Sequence, residues 1–88
     1  MFEITLTDRA MEQLNRISLS QEKLGRIIRD YLVRLPDCFH FDKLLRGPNF
    51  EGVRSHRVGD YRILYRVKNR ELIILVIGIA HRREVYDR

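Results

Sequence analysis

Cysteine occurs once, at Cys38, so the chain cannot close an internal disulfide and reads as a protein of a reducing, cytoplasmic compartment. That lone thiol also lacks a second cysteine for a zinc site. His40, His56 and His81 lie far apart in sequence and have no cysteine partners, so no metal is expected. No glycine-rich phosphate loop is present, and no cofactor is expected. Cys38 has only His40 near it, which leaves no nucleophilic triad visible. The longest apolar run, Leu72 to Ala80, is nine residues, far short of the roughly 20 a membrane helix needs. The opening MFEITLTDRAMEQL carries Glu3, Asp8 and Arg9 with no long apolar stretch, so it is not expected to act as a signal peptide.

What is present is an ordinary globular composition in 88 residues, 44% hydrophobic and 33% charged, enough for a single domain over 1–88 with one core. The net charge is +5 and the pI near 9.9. Charge alone admits nucleic acid, ribosome or an anionic membrane as partner. Position narrows the choice. From Arg54 onward lie eight arginines, one lysine and two histidines, so the excess charge sits in the C-terminal part.

FEITLT, residues 2–7, alternates and is rich in β-formers, which predicts a strand. Thr7 or Asp8 caps a following helix in which Ala10, Leu14 and Ile17 recur at helical spacing. Leu19-Ser20 marks a break, with Ser20 as the next cap. A second helix then runs over about 21–35, with Leu24, Ile27, Ile28, Tyr31, Leu32 and Leu35 as its apolar stripe. Pro36 is expected to end it. Residues 36–52 form a connector whose Phe39, Phe41, Leu44 and Leu45 are expected to pin it to the core. Three strands follow, over about 52–58, 61–68 and 71–79, joined by two-residue turns at Gly59-Asp60 and Asn69-Arg70. The order is β-α-α-β-β-β: an α+β domain with a helical hairpin packed on one face of a curved antiparallel sheet.

Two-residue turns fix a register. Val58 faces Tyr61, Arg57 faces Arg62, His56 faces Ile63, Ser55 faces Leu64 and Arg54 faces Tyr65. Across the second turn Lys68 faces Glu71, Arg66 faces Ile73, Leu64 faces Leu75 and Arg62 faces Ile77. Strand alternation then sorts the side chains into two sets. Val58, Tyr61, Ile63, Tyr65, Val67, Leu72, Ile74 and Val76 lie beneath the helices, with Arg54 and His56 at the margin. Ser55, Arg57, Arg62, Leu64, Arg66, Ile73, Leu75, Ile77 and Ile79 lie on the other face, and Gly78 sits opposite Tyr61. Like charges paired across strands oppose the pairing by roughly 0.2–1 kcal/mol at an exposed site. A fold that keeps Arg57 against Arg62 either supplies a carboxylate, such as Asp60, or meets an anion.

The tail AHRREVYDR places His81, Arg82, Arg83 and Tyr86 where the chain leaves the last strand. Histidine is suited to proton transfer near neutral pH, arginine to bidentate phosphate contacts, and tyrosine to stacking on a base. The plain alternative is a solvated basic tail with Tyr86 folded back on the core.

KLLRGPNFEGVRSHRVGDYRILYRV followed by IGIAHRREVY resembles the RelE/ParE superfamily of bacterial toxins, on its RelE side. The resemblance covers the chain in element order and is most specific from Lys43 to Tyr86. It implies a RelE-like fold and a metal-independent ribonuclease that cuts messenger RNA on the ribosome. The reaction implied is attack of a 2′-OH on the adjacent phosphate. It also implies Arg57, Arg62, His81, Arg82 and Tyr86 as the catalytic set, with Arg62 first as phosphate clamp and His81 as general acid or base. Arg54, His56, Arg66 and Arg83 are read as further RNA contacts. Where some members carry a lysine pair, this chain reads Arg54-Ser55-His56-Arg57, so Arg54 and His56 stand as alternative equivalents. The partners implied are a small acidic antitoxin, through which the complex binds operator DNA, the ribosome and mRNA, and no membrane. Two other readings share the fold: a ParE-type, non-catalytic inhibitor of DNA gyrase, and an inactive nucleic-acid-binding relative.

Overall fold

The computed structural model describes residues 2–83, and Tyr86 lies outside them. Strand β1 spans Glu3–Leu6, helix α1 Asp8–Ser20 and helix α2 Glu22–Cys38. The strands that follow are β2 (Lys43–Leu44), β3 (Val53–Val58), β4 (Tyr61–Lys68) and β5 (Ile73–His81). The five strands form one sheet in the order β1-β5-β4-β3-β2, with both helices on one face. The α+β class and helical hairpin are as the sequence implies. Two features differ: β1 pairs with β5 in parallel, which makes the sheet mixed, and part of the connector forms β2 along the edge of β3.

Thr7 caps α1, its hydroxyl accepting from Ala10 N–H at 3.1 Å. Ser20 caps nothing. It is the last residue of α1, and its hydroxyl donates back to the Arg16 carbonyl. Pro36 does not stop α2, which continues to Cys38. Proline fixes φ in the helical range and removes only one N–H, and the Phe39 amide closes the final turn onto the Leu35 carbonyl. The core beneath the sheet joins Ala10, Leu14 and Ile17 of α1 to Ile28, Tyr31, Leu32 and Leu35 of α2. Ile27 is on the solvent side, 45% exposed, and Gly25 takes the buried position at the helix crossing instead. A Cβ at Gly25 would lie 2.4 Å from Ser18 Oγ and 2.8 Å from Ser18 Cα, so only glycine permits this approach.

The β3–β4 register is the expected one at all five pairs, with Gly59 at φ +59° making the two-residue turn. The β4–β5 register is not. Asn69-Arg70 is no two-residue turn: residues 69–72 form the loop, Leu72 takes φ +55°, and Lys68 pairs with Ile73. That two-residue offset preserves the faces as far as Tyr65↔Val76. Beyond it Leu64 pairs with Gly78, leaving Ile77 as an extra residue in β5. Past this bulge the β5 faces exchange. Ile79 joins the helix-side core, Gly78 sits opposite Leu64, and Ala80 sits opposite Arg62. The helices supply the bonding the bulge needs. Gln13 Oε1 accepts from Ile79 N–H at 2.7 Å, and Thr7 Oγ1 donates to the Ile77 carbonyl at 3.3 Å.

On the face away from the helices a smaller cluster forms around Val53, Leu64 and Ala80, with Leu45, Phe50 and Ile77 packed on it. Of the connector residues expected to anchor the chain, Phe39 packs on the main core and Leu45 on this smaller cluster. Phe41 and Leu44 do not pack inward, being 79% and 56% exposed. No helix among the described residues is long and apolar enough to cross a membrane.

Candidate functional site

Arg57 and Arg62 occupy facing positions on β3 and β4, on the side of the sheet away from the helices. The tight turn at Gly59-Asp60 leaves no slack between the strands, so the two residues are held as direct cross-strand neighbours. Each is steadied by the hairpin itself: Arg57 Nε donates to the Gly59 carbonyl at 3.1 Å, and Arg62 Nη1 to Ser55 Oγ at 2.9 Å. The bulge contributes space. It places Ala80 opposite Arg62, where an unbulged β5 would bring an isoleucine.

The end of β5 closes the site. Arg82 N–H donates to the Asp60 carbonyl at 2.7 Å, which seats the start of the tail on the hairpin turn. Arg57, Arg62, Arg82 and Arg83 thereby line one cleft of about 490 Å³, with Tyr61 and Asp60 at its wall. Four guanidinium groups around one cavity make a site suited to an anion with several oxygens, since arginine offers paired donors that keep their charge at any physiological pH. A second cleft, of about 530 Å³, lies on the β2 side and shares Arg57 and Arg62 with the first. Lys43 enters it beside Ser55, its cross-strand partner. Sequence reasoning missed Lys43, because the pairing that brings it here is a two-residue strand with no periodicity to betray it.

The remaining candidates are distributed as follows. His81 pairs with Tyr61, and the two rings meet edge-on at 5.3 Å. It is not among the residues lining the arginine cleft, and its Nδ1 accepts from Arg83 N–H at 3.3 Å. Arg66 shares the face of Arg62 but sits two pleat repeats further along β4, donating to the Glu51 carbonyl at 2.8 Å. Arg54 and His56 face the helices. Tyr86 lies outside the described residues.

Arg54 and His56 belong to a separate network around Asp42. The Asp42 carboxylate accepts from the hydroxyls of Tyr31 and Tyr65, the latter at 2.5 Å, and meets His56 Nδ1 at 2.8 Å. His56 stacks flat on Tyr31 with ring centres 3.6 Å apart, and Arg54 Nη1 donates to the Asp42 carbonyl at 2.9 Å. Burial, and then the neighbouring carboxylate, push both phenols well above the usual tyrosine range. They therefore remain hydrogen-bond donors that lock the connector to α2, β3 and β4. Among the described residues no group of three or more His, Cys, Asp or Glu could hold a metal ion.

A family model described as the ParE toxin of type II toxin-antitoxin system, parDE, matches residues 4–86. No curated protein matches the chain. Among solved structures it is similar to the isolated Escherichia coli RelE toxin, with TM-score 0.74, 18% identity, and 99% of this chain and 93% of that one covered. It is similar to the RelBE2 toxin-antitoxin complex of Mycobacterium tuberculosis, with TM-score 0.74, 21% identity and coverage of 91% and 96%. It is also similar to the chromosomal ParDE system of P. aeruginosa, with TM-score 0.73, 18% identity and coverage of 92% and 96%. These likenesses concern the fold, which all three share with this chain.

Proposed function

The chain belongs to the ParE toxin family of type II toxin-antitoxin systems, within the RelE/ParE superfamily, and from its arginine cleft we propose that it is a ribosome-dependent, metal-independent endoribonuclease acting on messenger RNA. The observation that carries this reading is the Arg57–Arg62 pair, held on one face and joined in one cleft by Arg82 and Arg83. Attack of a ribose 2′-oxygen on the neighbouring phosphorus forms the new P–O bond and breaks the bond to the 5′-oxygen. A base accepts the 2′-OH proton and an acid supplies one to the departing 5′-oxygen. The products are a 2′,3′-cyclic phosphate and a 5′-OH. The pentacoordinate phosphate gains negative charge on the way, and guanidinium groups already in place stabilise it more than they stabilise the ground state.

Arg62 is assigned as the phosphate clamp, Arg57 as its cross-strand partner, and Arg82 as the tail's contribution. His81 is proposed as general acid or base on the resemblance alone, since it pairs with Tyr61 and does not line the arginine cleft. The partner is a small acidic antitoxin, complementary to a chain of net charge +5. A complex with it binds operator DNA through the antitoxin.

A second reading is favoured by one observation: the matching family model is that of ParE toxins. On that reading the chain inhibits DNA gyrase without chemistry. Expression in cells with primer extension on a translated message separates the two. Codon-phased cuts that vanish in Arg62→Ala support the nuclease. Loss of plasmid supercoiling with uncut messages supports the gyrase inhibitor.

A further inference from the structure

Phe41 is a large aromatic ring left 79% exposed, although it follows directly on a segment tied into the core through Phe39. His40 rests against it, with ring centres 4.4 Å apart and a tilt of 39°. One side of the ring is thus braced while the rest stands open to solvent. It lines the cleft of about 530 Å³ that shares Arg57 and Arg62 with the tail-side cleft. Lys43 and Arg46 stand in the same walls, and Leu44, 56% exposed, adds apolar surface. The carboxylate in these walls, Asp42, is turned to the hydroxyls of Tyr31 and Tyr65 and to His56, so its charge is answered by donors of its own.

The arginine pair therefore has a cleft on each side. One is cationic and formed by the tail. The other joins an open aromatic face to two cations. A single-stranded polynucleotide needs this alternation, with phosphate oxygens met by cations and a base by a ring. We propose that the β2-side cleft is a nucleobase subsite, in which Phe41 stacks on the base adjoining the phosphate held by Arg57 and Arg62, with Lys43 and Arg46 meeting the next phosphate. This inference rests on the RNA reading given above and assigns a specificity-determining role to the connector. RNA is favoured over a protein partner because the cleft is continuous with the arginine pair and shares both residues with it.

The chain contains no tryptophan, so Phe41→Trp introduces a single indole reporter where stacking is expected. The titrant is a short single-stranded oligoribonucleotide, 2′-O-methylated throughout so that it cannot be cut, added at low ionic strength. Saturable quenching of the indole is expected. Val33→Trp, on an exposed helix position, is expected to remain unquenched. Phe41→Ala should weaken binding of a labelled copy of the oligonucleotide by about 5- to 150-fold, and Phe41→Tyr should restore it. Phe41 is not a core residue, and circular dichroism of each variant checks that it folds.

An oligonucleotide that binds without quenching Phe41→Trp, or that binds Phe41→Ala as tightly as the parent, overturns the subsite. So does a Phe41→Ala chain that keeps its RNA affinity and loses its antitoxin, which would assign the ring to a protein partner. Message cuts abolished by Arg62→Ala but unchanged in Phe41→Ala leave the nuclease reading standing and the subsite refuted. Stacking without message cutting does the reverse. No binding of the oligonucleotide at all overturns the subsite, and the nuclease reading is then decided by message cutting alone.

Discussion

At the scale of single residues, the proposed nuclease rests first on Arg62. Loss of one preorganised donor to a charged transition state typically lowers a rate by about 10²–10³-fold. Arg62→Ala should accordingly reduce message cutting by that order in a primer-extension time course. Arg62→Lys should recover only part of it, because a lysine supplies charge without the paired donors. Tyr65 tests the other network. It is fully buried and donates to Asp42, so Tyr65→Phe leaves a buried carboxylate short of a partner and should cost about 1–3 kcal/mol in denaturant unfolding. The same phenols give a pH dependence with a definite sign. Tyr31 and Tyr65 both titrate higher folded than unfolded, so the unfolded chain releases their protons first as pH rises. Stability is fully present below the ordinary phenol value, near pH 10, and falls above it by about 1.4 kcal/mol per pH unit for each group. A stability profile from pH 9 to 11 should therefore bend downward, and more shallowly in Tyr31→Phe.

Between elements, what decides the site is register. The Arg57–Arg62 pairing was legible because Gly59 permits a tight turn, and a tight turn leaves no freedom in the strands it joins. The β4–β5 register was not legible, for two physical reasons. Asn69-Arg70 has no glycine to take a positive φ, and the loop lengthens until Leu72 takes it. Then LIILVIGIA is apolar on both faces, so no alternation in it reports where a residue is inserted. The bulge is specified from outside β5, by Gln13 and Thr7 on the opposite side of the sheet. Gln13→Ala leaves Ile79 N–H without its partner and should lower stability by about 1–3 kcal/mol. Because the bulge also places Ala80 beneath Arg62, the variant should lose message cutting beyond its loss of folded chain, measured per folded molecule. Gly25→Ala tests the helix hairpin. On an open helix the change would stabilise by up to about 1 kcal/mol. Here the new methyl meets Ser18 Cα at 2.8 Å, and a lower thermal midpoint is expected, by overpacking of about 1–3 kcal/mol. The Asp42 network escaped sequence reasoning because its members lie at positions 31, 42, 56 and 65, on four different segments.

Across the whole molecule, charge is divided unevenly. Residues 1–53 hold eight Lys and Arg against eight Asp and Glu, while nine stand against four from Arg54 onward. The first 53 residues are neutral by count, and the excess lies in the β3–β4 hairpin and the tail. Binding to ribosomes should weaken steeply with salt, and each phosphate contact removed, as in Arg57→Ala, should lower the slope of log K against log salt by about 0.7 for a single strand. A response flat in salt would show that this face does not dock.

The parallel seam between β1 and β5 joins positions about seventy apart in the chain, Glu3 to Ile73 and Leu6 to Val76. Closure of so long a loop comes late on a folding path, because its entropy must be met before the contacts it brings together are formed. The cleft depends on that seam, since Arg82 and Arg83 in its lining follow directly on β5. A half-assembled molecule thus has no half-strength version of the site, and poison and harmless precursor are separated by a single cooperative step.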